Sequence, residues 1–402
     1  MKKMNLSKTG SILLLSMCLG LAMAGCAKKE EPKETVETTK AVEESSTEET
    51  KTPSTESQEE DVIENVDYIY TANNNGNIVI ENEGYDELKA AVEEFNKGEE
   101  TYKKSKGIGE GSEYDIYTRV VRADSKVFSI ISKESVYRDL DTGSDADKYN
   151  FNTINYNSKD GKELKLSDIA DDGIYKVLTD ELKKTYPDVK FGDDSESKLK
   201  EELAKTGWES KAAWILNYDG IIFYIQKELV STDAKGVLVY GVSFGEHKDV
   251  IKQSYTSKPE SYIYPIFSDA NYPVKIDNKI VRFSISSEDK GDMETIVNIE
   301  VAGKKTDPIH YMYTPNNIHL VNVKGEMFMM IEVPVGDVSY LTDIFKLDNN
   351  NGAIELNEVE QSVAEEHFSN DPSHIMMAML EGEVPKSEYM EFNTDGTFKK
   401  VE

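Results

Sequence analysis

Cysteine is nearly absent: the 402-residue chain has two, Cys18 and Cys26. Cys18 lies in an N-terminal stretch expected to be removed, so Cys26 alone would survive. A body without thiols has no internal disulfide, no cysteine nucleophile and no cysteine-based zinc site. Histidine is also scarce, with His247, His310, His319, His367 and His374 making five. None stands in an H-E-x-x-H spacing. His367 and His374 are seven apart and would share a helix face, but surface or capping roles outweigh a metal pair there. No serine sits in a G-x-S-x-G elbow, and no Walker A loop or dinucleotide fingerprint occurs. Gly107-Ile108-Gly109-Glu110-Gly111 is too sparse, and its acidic flanks would repel phosphate. No cofactor is implied. Glycosidase chemistry needs only two carboxylates at a set separation, and 76 acidic residues neither select nor deny such a pair.

Positive charge is in short supply as well. Lys and Arg total 46 against 76 Asp and Glu, a formal net charge of -30. Twelve acidic and five basic residues fall in 27–62, so most of the imbalance belongs to the residues beyond. Such a surface repels nucleic acid and anionic lipid and attracts cationic partners at low salt. Colloidal solubility accounts for the same charge without any partner.

Lys2, Lys3 and Lys8 open the chain, followed by the apolar run Ile12–Met23 and the small residues Ala24 and Gly25. Those three parts are the features of a secretory signal peptide. The run falls short of the roughly 20 residues that a membrane-spanning helix needs. Met23-Ala24-Gly25-Cys26 resembles a bacterial lipobox, with cleavage between Gly25 and Cys26 and a lipid such as palmitate on the Cys26 thiol. The resemblance implies a lipoprotein on the extracytoplasmic face of the cell membrane, anchored in the bilayer through Cys26. An ordinary signal peptide that releases a soluble protein is the alternative. Residues 26–62, rich in Glu, Thr, Ser and Lys with almost no large apolar side chains, read as a disordered tether.

From residue 63 the pattern becomes globular. Tyr68–Tyr70 and Ile78–Ile80 around Asn73–Asn77 predict a hairpin. Tyr85, Leu88, Val92 and Phe95 predict a helix stopping at Gly98, and further helices are predicted over Ile174–Tyr186 and Ser195–Lys205. Strands are predicted at Ile116–Val121, Lys126–Ile131, Tyr149–Tyr156 and Val237–Phe244. Trp214–Tyr218 and Ile221–Ile225 flank Asp219-Gly220, a hairpin signal because both turn positions of that type need positive φ. After residue 256 the predicted strands are Ile280–Ile285, Thr295–Val301, Ile318–Val323, Met327–Val333 and Tyr340–Leu347. The expected fold class is α+β. A mainly antiparallel sheet with two or three helices (63–255) is followed by an all-β meander resembling a single propeller blade (256–360) and a loosely helical extension (361–402). Trp214, Tyr218 and Tyr224 fit core packing better than sugar stacking. Trp208 remains ambiguous. Met327, Met329 and Met330 fit blade core or interface.

Three pieces carry a family likeness: Val121-Arg122-Ala123-Asp124-Ser125-Lys126-Val127-Phe128-Ser129-Ile130, then Tyr156–Asp168 with its step Gly161-Lys162-Glu163-Leu164-Lys165-Leu166-Ser167-Asp168, and Trp214–Phe244. In this order the region 67–250 resembles the extracytoplasmic domain family shared by the anti-sigma factor RsiV and the N-terminal region of the peptidoglycan deacetylase PdaC. The chain lacks the Gly-Gly-Ala-His segment frequent in that family. It also lacks the relatives' cytoplasmic and catalytic domains. What the resemblance implies is a sensory or binding domain facing the wall, and, from the anti-sigma relative, lysozyme as a ligand.

Asp139, Asp141, Asp145 and Asp147 alternate as calcium ligands would. A twelve-residue loop counted from Asp139 has Ser144 and Asn150 where Gly and Glu belong, so a solvated turn is preferred. The loop from Asp348 misplaces Gly352 in the same way. The function expected from sequence is non-enzymatic binding of a wall-associated ligand, either a cationic protein such as lysozyme or a peptidoglycan fragment. A glycan hydrolase with an unrecognised carboxylate pair and a structural lipoprotein docking another envelope protein are the alternatives. Sequence alone names no ligand-binding residue.

Overall fold

Three consecutive apolar strands, Ala212–Leu216, Gly220–Gln226 and Val237–Ser243, pair antiparallel in the computed structural model. The period of two sends their side chains alternately to opposite faces. Trp214, Leu216, Phe223, Ile225 and Leu238 pack against Leu178 and Leu182 of the helix Gly173–Thr185 and Leu199 of the helix Ser195–Glu202. Ile215, Ile222, Tyr224 and Val239 enter a second core on the other side. Continuous apolar runs are therefore buried on both faces, as their composition demands. The structure describes residues 66–401 apart from 75, 108–113, 137–149, 233–235, 292–293, 316, 336–338, 365–366 and 382–383. All of these lie in one unit, Glu59–Glu402.

The sheet continues across residue 255. Val237–Ser243 pairs in parallel with Ala270–Ile276, and the order runs on through Lys279–Gly291, Glu294–Val301 and Lys304–Lys305, with Ile309–Tyr311 also on Glu294–Val301. A five-stranded antiparallel sheet covers its second face, in the order Gly352–Val359, Ser339–Asp348, Glu326–Val335, Asn317–Val323 and Tyr262–Ile266. Met327, Met329 and Ile331 point into this shared core. Val321, Phe328, Met330 and Ile344 point the other way, onto Ile375, Met377, Met390 and Phe392 of a C-terminal four-stranded sheet. A three-stranded sheet of Tyr114–Ala123, Val127–Val136 and Phe151–Asn157 packs Val120, Phe128 and Ile130 on Leu88, Val92 and Phe95 of the helix Asp86–Lys106.

The fold is α+β with mainly antiparallel sheets and five helices among the described residues. Several expectations need correction. The five strands of the predicted meander do not share one sheet. Ile280–Ile285 and Thr295–Val301 join the eight-stranded sheet, and the other three join the five-stranded one. A lone blade would leave a face uncovered, whereas the two sheets bury each other. No closed sheet forms among the described residues. The helix count of two or three omitted the single turns Leu166–Ile169 and Lys227–Val230. Gly98 does not stop its helix, which continues to Lys106 and ends at Gly107, φ 70°. A helical glycine costs roughly 1 kcal/mol, yet the helix runs on, and beyond Gly98 its Glu99 and Tyr102 bond Trp208 and Glu134. The extension 361–402 is strand, not helix.

The Asp219-Gly220 hairpin is present, but neither residue has positive φ. Instead Asn217 Oδ1 accepts from the backbone N–H groups of Asp219 (2.9 Å) and Gly220 (2.7 Å). Glycine is required there by close approach: a Cβ would lie 2.2 Å from the Val242 carbonyl oxygen.

Candidate functional site

The segments 121–130, 156–168 and 214–244 meet in the interior. Arg122 and Asp124, both fully buried, form an ion pair of 2.7 Å. Asp124 Oδ1 closes the turn by accepting from Lys126 N (2.8 Å) and Val127 N (2.9 Å). The Arg122 guanidinium also donates to the carbonyls of Asn217 (3.3 Å), Tyr255 (3.0 Å) and Ser257 (2.8 Å). Ser158 Oγ donates to the Asp124 carbonyl at 2.6 Å. Asp168 Oδ2 accepts from Lys165 N at 2.8 Å, starting the step into its helix. Asn155 lies along the edge strand Ala212–Leu216, accepting from Leu216 N (2.8 Å) and donating to the Trp214 carbonyl (3.3 Å), which blunts that edge. These residues are spent on holding strands together.

A second buried cluster surrounds Asp219. Its carboxylate accepts from Lys258 Nζ (2.7 Å), Tyr262 OH (2.6 Å) and Tyr264 OH (3.0 Å). Burial, and then the Asp219 charge, holds both phenols far above their usual range, so they remain donors. Tyr218 stacks on Tyr262 at 4.7 Å. A third cluster centres on His319, 2 % exposed, whose Nδ1 lies 3.8 Å from Glu332 Oε1 without a hydrogen bond. Burial, helped by the Arg119 charge, lowers its pKa to about 3, so the ring is neutral. It borders a cavity of about 20 Å³, room for one water.

The cluster with the most varied chemistry reaches the surface. The helix Asp86–Lys106 brings Glu99 and Tyr102 over the three-stranded sheet, where they meet Glu134, Asn150 and Asn152. Tyr102 stacks on Trp208 with ring centroids 4.5 Å apart and planes 9° from parallel. Trp208 Nε1 donates to Glu99 Oε1 at 3.1 Å, and Asn152 Nδ2 donates to the same oxygen at 2.6 Å. Tyr102 OH (3.3 Å) and Asn150 Nδ2 (2.5 Å) both donate to Glu134 Oε2. Gln226 Nε2 extends the string by donating to Asn150 Oδ1 at 2.7 Å. Glu99 is 3 % exposed. Burial raises the Glu99 carboxyl above the usual range, against the hydrogen bonds from Asn152, Ser132 and Trp208. Burial and Glu134 push the Tyr102 phenol well up. Tyr102, Trp208, Asn150, Asn152 and Gln226 remain half-buried.

Gly25, Cys26, Asp139, Asp141, Asp145 and Asp147 lie outside the described residues, as does most of the Gly107–Gly111 segment. The shared helix face expected of His367 and His374 does not exist. His367 sits on a short strand with its Nδ1 3.2 Å from Glu81 Oε1, and His374 stacks on Tyr389 at 4.0 Å. No group of three His, Cys, Asp or Glu suited to a metal occurs among the described residues. Asp348 accepts three hydrogen bonds from Asn350 and Asn351, which hold its carboxyl below the usual range and occupy it as a turn cap. Trp214, Tyr218, Tyr224, Met327, Met329 and Met330 are all buried. Sequence reasoning missed Glu99, although it continues the apolar stripe Leu88, Val92, Phe95 at helical spacing. No helix among the described residues is long and apolar enough to cross a membrane. No family model and no curated protein matches this chain.

Proposed function

We propose that the chain is an exported bacterial lipoprotein, acylated on Cys26 at the extracytoplasmic face of the cell membrane, whose folded unit binds a wall-associated ligand without performing chemistry. The ligand is a cationic protein such as lysozyme, or a peptidoglycan fragment. The observation that carries this reading is the charge of -30 on a chain with basic residues at Lys2, Lys3 and Lys8, the apolar run Ile12–Met23 and a lipobox-like Met23-Ala24-Gly25-Cys26. The likeness to the RsiV and PdaC domains points the same way. Asp124 and Asp219 are committed to buried donors, so their carboxylates add nothing to the surface that a partner would meet.

Equilibrium binding of the purified protein to lysozyme and to soluble muropeptides tests the reading. A cationic protein partner should lose about tenfold or more in affinity between about 50 mM and about 500 mM salt. A glycan held by stacking and neutral hydrogen bonds should change little. Binding to neither would overturn the proposal.

Glu99 and Glu134 favour a second reading, a glycan-acting hydrolase. A buried carboxyl raised beside a tryptophan is the environment of a general acid. Each carboxyl is bonded to one ring of the Tyr102–Trp208 stack, however. Glycan hydrolysis that disappears in Glu99→Gln would establish this alternative.

A further inference from the structure

We infer that the Trp208–Tyr102 stack, with Asn150, Asn152 and Gln226 beside it, is a docking subsite for an N-acetylated glycan. This rests on the proposed wall-binding function and specifies where one class of ligand would sit.

The chemistry of the strip matches such a sugar. A pyranose offers an apolar C–H face and a rim of hydroxyl and acetamido groups. It is recognised by a flat ring for the face and fixed donors and acceptors for the rim. Trp208 supplies the ring. Tyr102 backs it at 4.5 Å, and Glu99 pins the indole N–H at 3.1 Å, so little side-chain freedom is lost when a ligand arrives. The carboxamides of Asn150, Asn152 and Gln226 are half-buried and already oriented by Glu134, Glu99 and Asn150.

Asn152 and Ser132 also hold the Glu99 carboxylate, so the indole that it pins is fixed from behind. The aromatic rings and carboxamides set this strip apart from an acidic cluster that would merely attract cations.

The chain contains a reporter for this site. Of its two tryptophans, Trp214 is in the core, and Trp208 is half-buried in the strip. Titrating the full chain with tetra-N-acetylchitotetraose should change tryptophan emission saturably. The change should persist in Trp214→Phe and vanish in Trp208→Phe. Asn150→Ala and Asn152→Ala, which leave the stack in place, should each weaken binding about tenfold or more, with the thermal midpoint recorded alongside. Calorimetric binding without a Trp208 signal would put the sugar elsewhere and overturn the assignment. So would no binding up to about 10 mM, a free energy near -3 kcal/mol. If lysozyme still binds in that case, only the subsite falls. If neither binds, the broader reading falls with it.

Discussion

Replacing Arg122 by Met should be among the most damaging single changes in the protein. The guanidinium and the Asp124 carboxylate are both fully buried and 2.7 Å apart. Methionine fills similar space but removes that ion pair and three hydrogen bonds to the carbonyls of Asn217, Tyr255 and Ser257. It also leaves the Asp124 charge buried without its counter-ion. Breaking a buried pair in this way costs about 3–5 kcal/mol. Unfolding entropy of about 2.1 cal/mol/K per residue over roughly 340 residues gives about 0.7 kcal/mol/K, so the midpoint should fall by about 4–7 °C. Thermal unfolding followed by circular dichroism at pH 7 measures this. The double variant with Asp124→Asn removes the stranded charge while keeping an oxygen for Lys126 N and Val127 N. It should cost less than the sum of the single variants by on the order of 1–3 kcal/mol. A shift below about 1 °C for Arg122→Met, or strict additivity in the cycle, would refute the claim that this pair ties its strand to Asn217 and to residues 255–257.

Two further outcomes follow from buried groups. His319 has its pKa lowered from 6.5 to about 3. The unfolded chain therefore binds a proton that the folded one refuses, and stability contributed by the neutral ring is lost as pH falls from about 6.5 towards 3, by up to about 5 kcal/mol. Midpoints measured across that window should show a shallower acid-side decline in His319→Phe than in the parent, and parallel curves would contradict the assignment. Gly220→Ala would drive a Cβ to 2.2 Å from the Val242 carbonyl oxygen. It should cost about 1–3 kcal/mol, read as a lower thermal midpoint, and an unchanged midpoint would show that the strands can part there.

Local patterns were readable because they are local. The helix Gly173–Thr185 follows from apolar residues at helical spacing, and the strands at 212–243 follow from apolar runs bounded by turn residues. The division of later strands between two sheets was not readable. It depends on Val237–Ser243 accepting Ala270–Ile276 as a parallel neighbour, and no short-range signal sets that pairing. Turn chemistry misled at Asp219-Gly220, where an Asn217 side chain and backbone crowding replace positive φ. The Trp208 strip was half legible. The tryptophan stood out as ambiguous, but its partners come from 99–102, 134, 150–152 and 226, which only the fold assembles. Glu99 on an apolar helical stripe and His319 within Ile318–Val321 were signals of buried polar groups that composition alone does not weigh.

The proposed placement outside the cytoplasm would decide which ligands the protein can meet, and the mass of the native protein tests it most directly. Mass spectrometry of protein extracted from membranes should find residues 1–25 missing and a lipid on the Cys26 sulfur, with Cys26→Ser releasing the protein from the membrane fraction. An intact leader with an unmodified Cys26, recovered from the cytosol, would contradict the account.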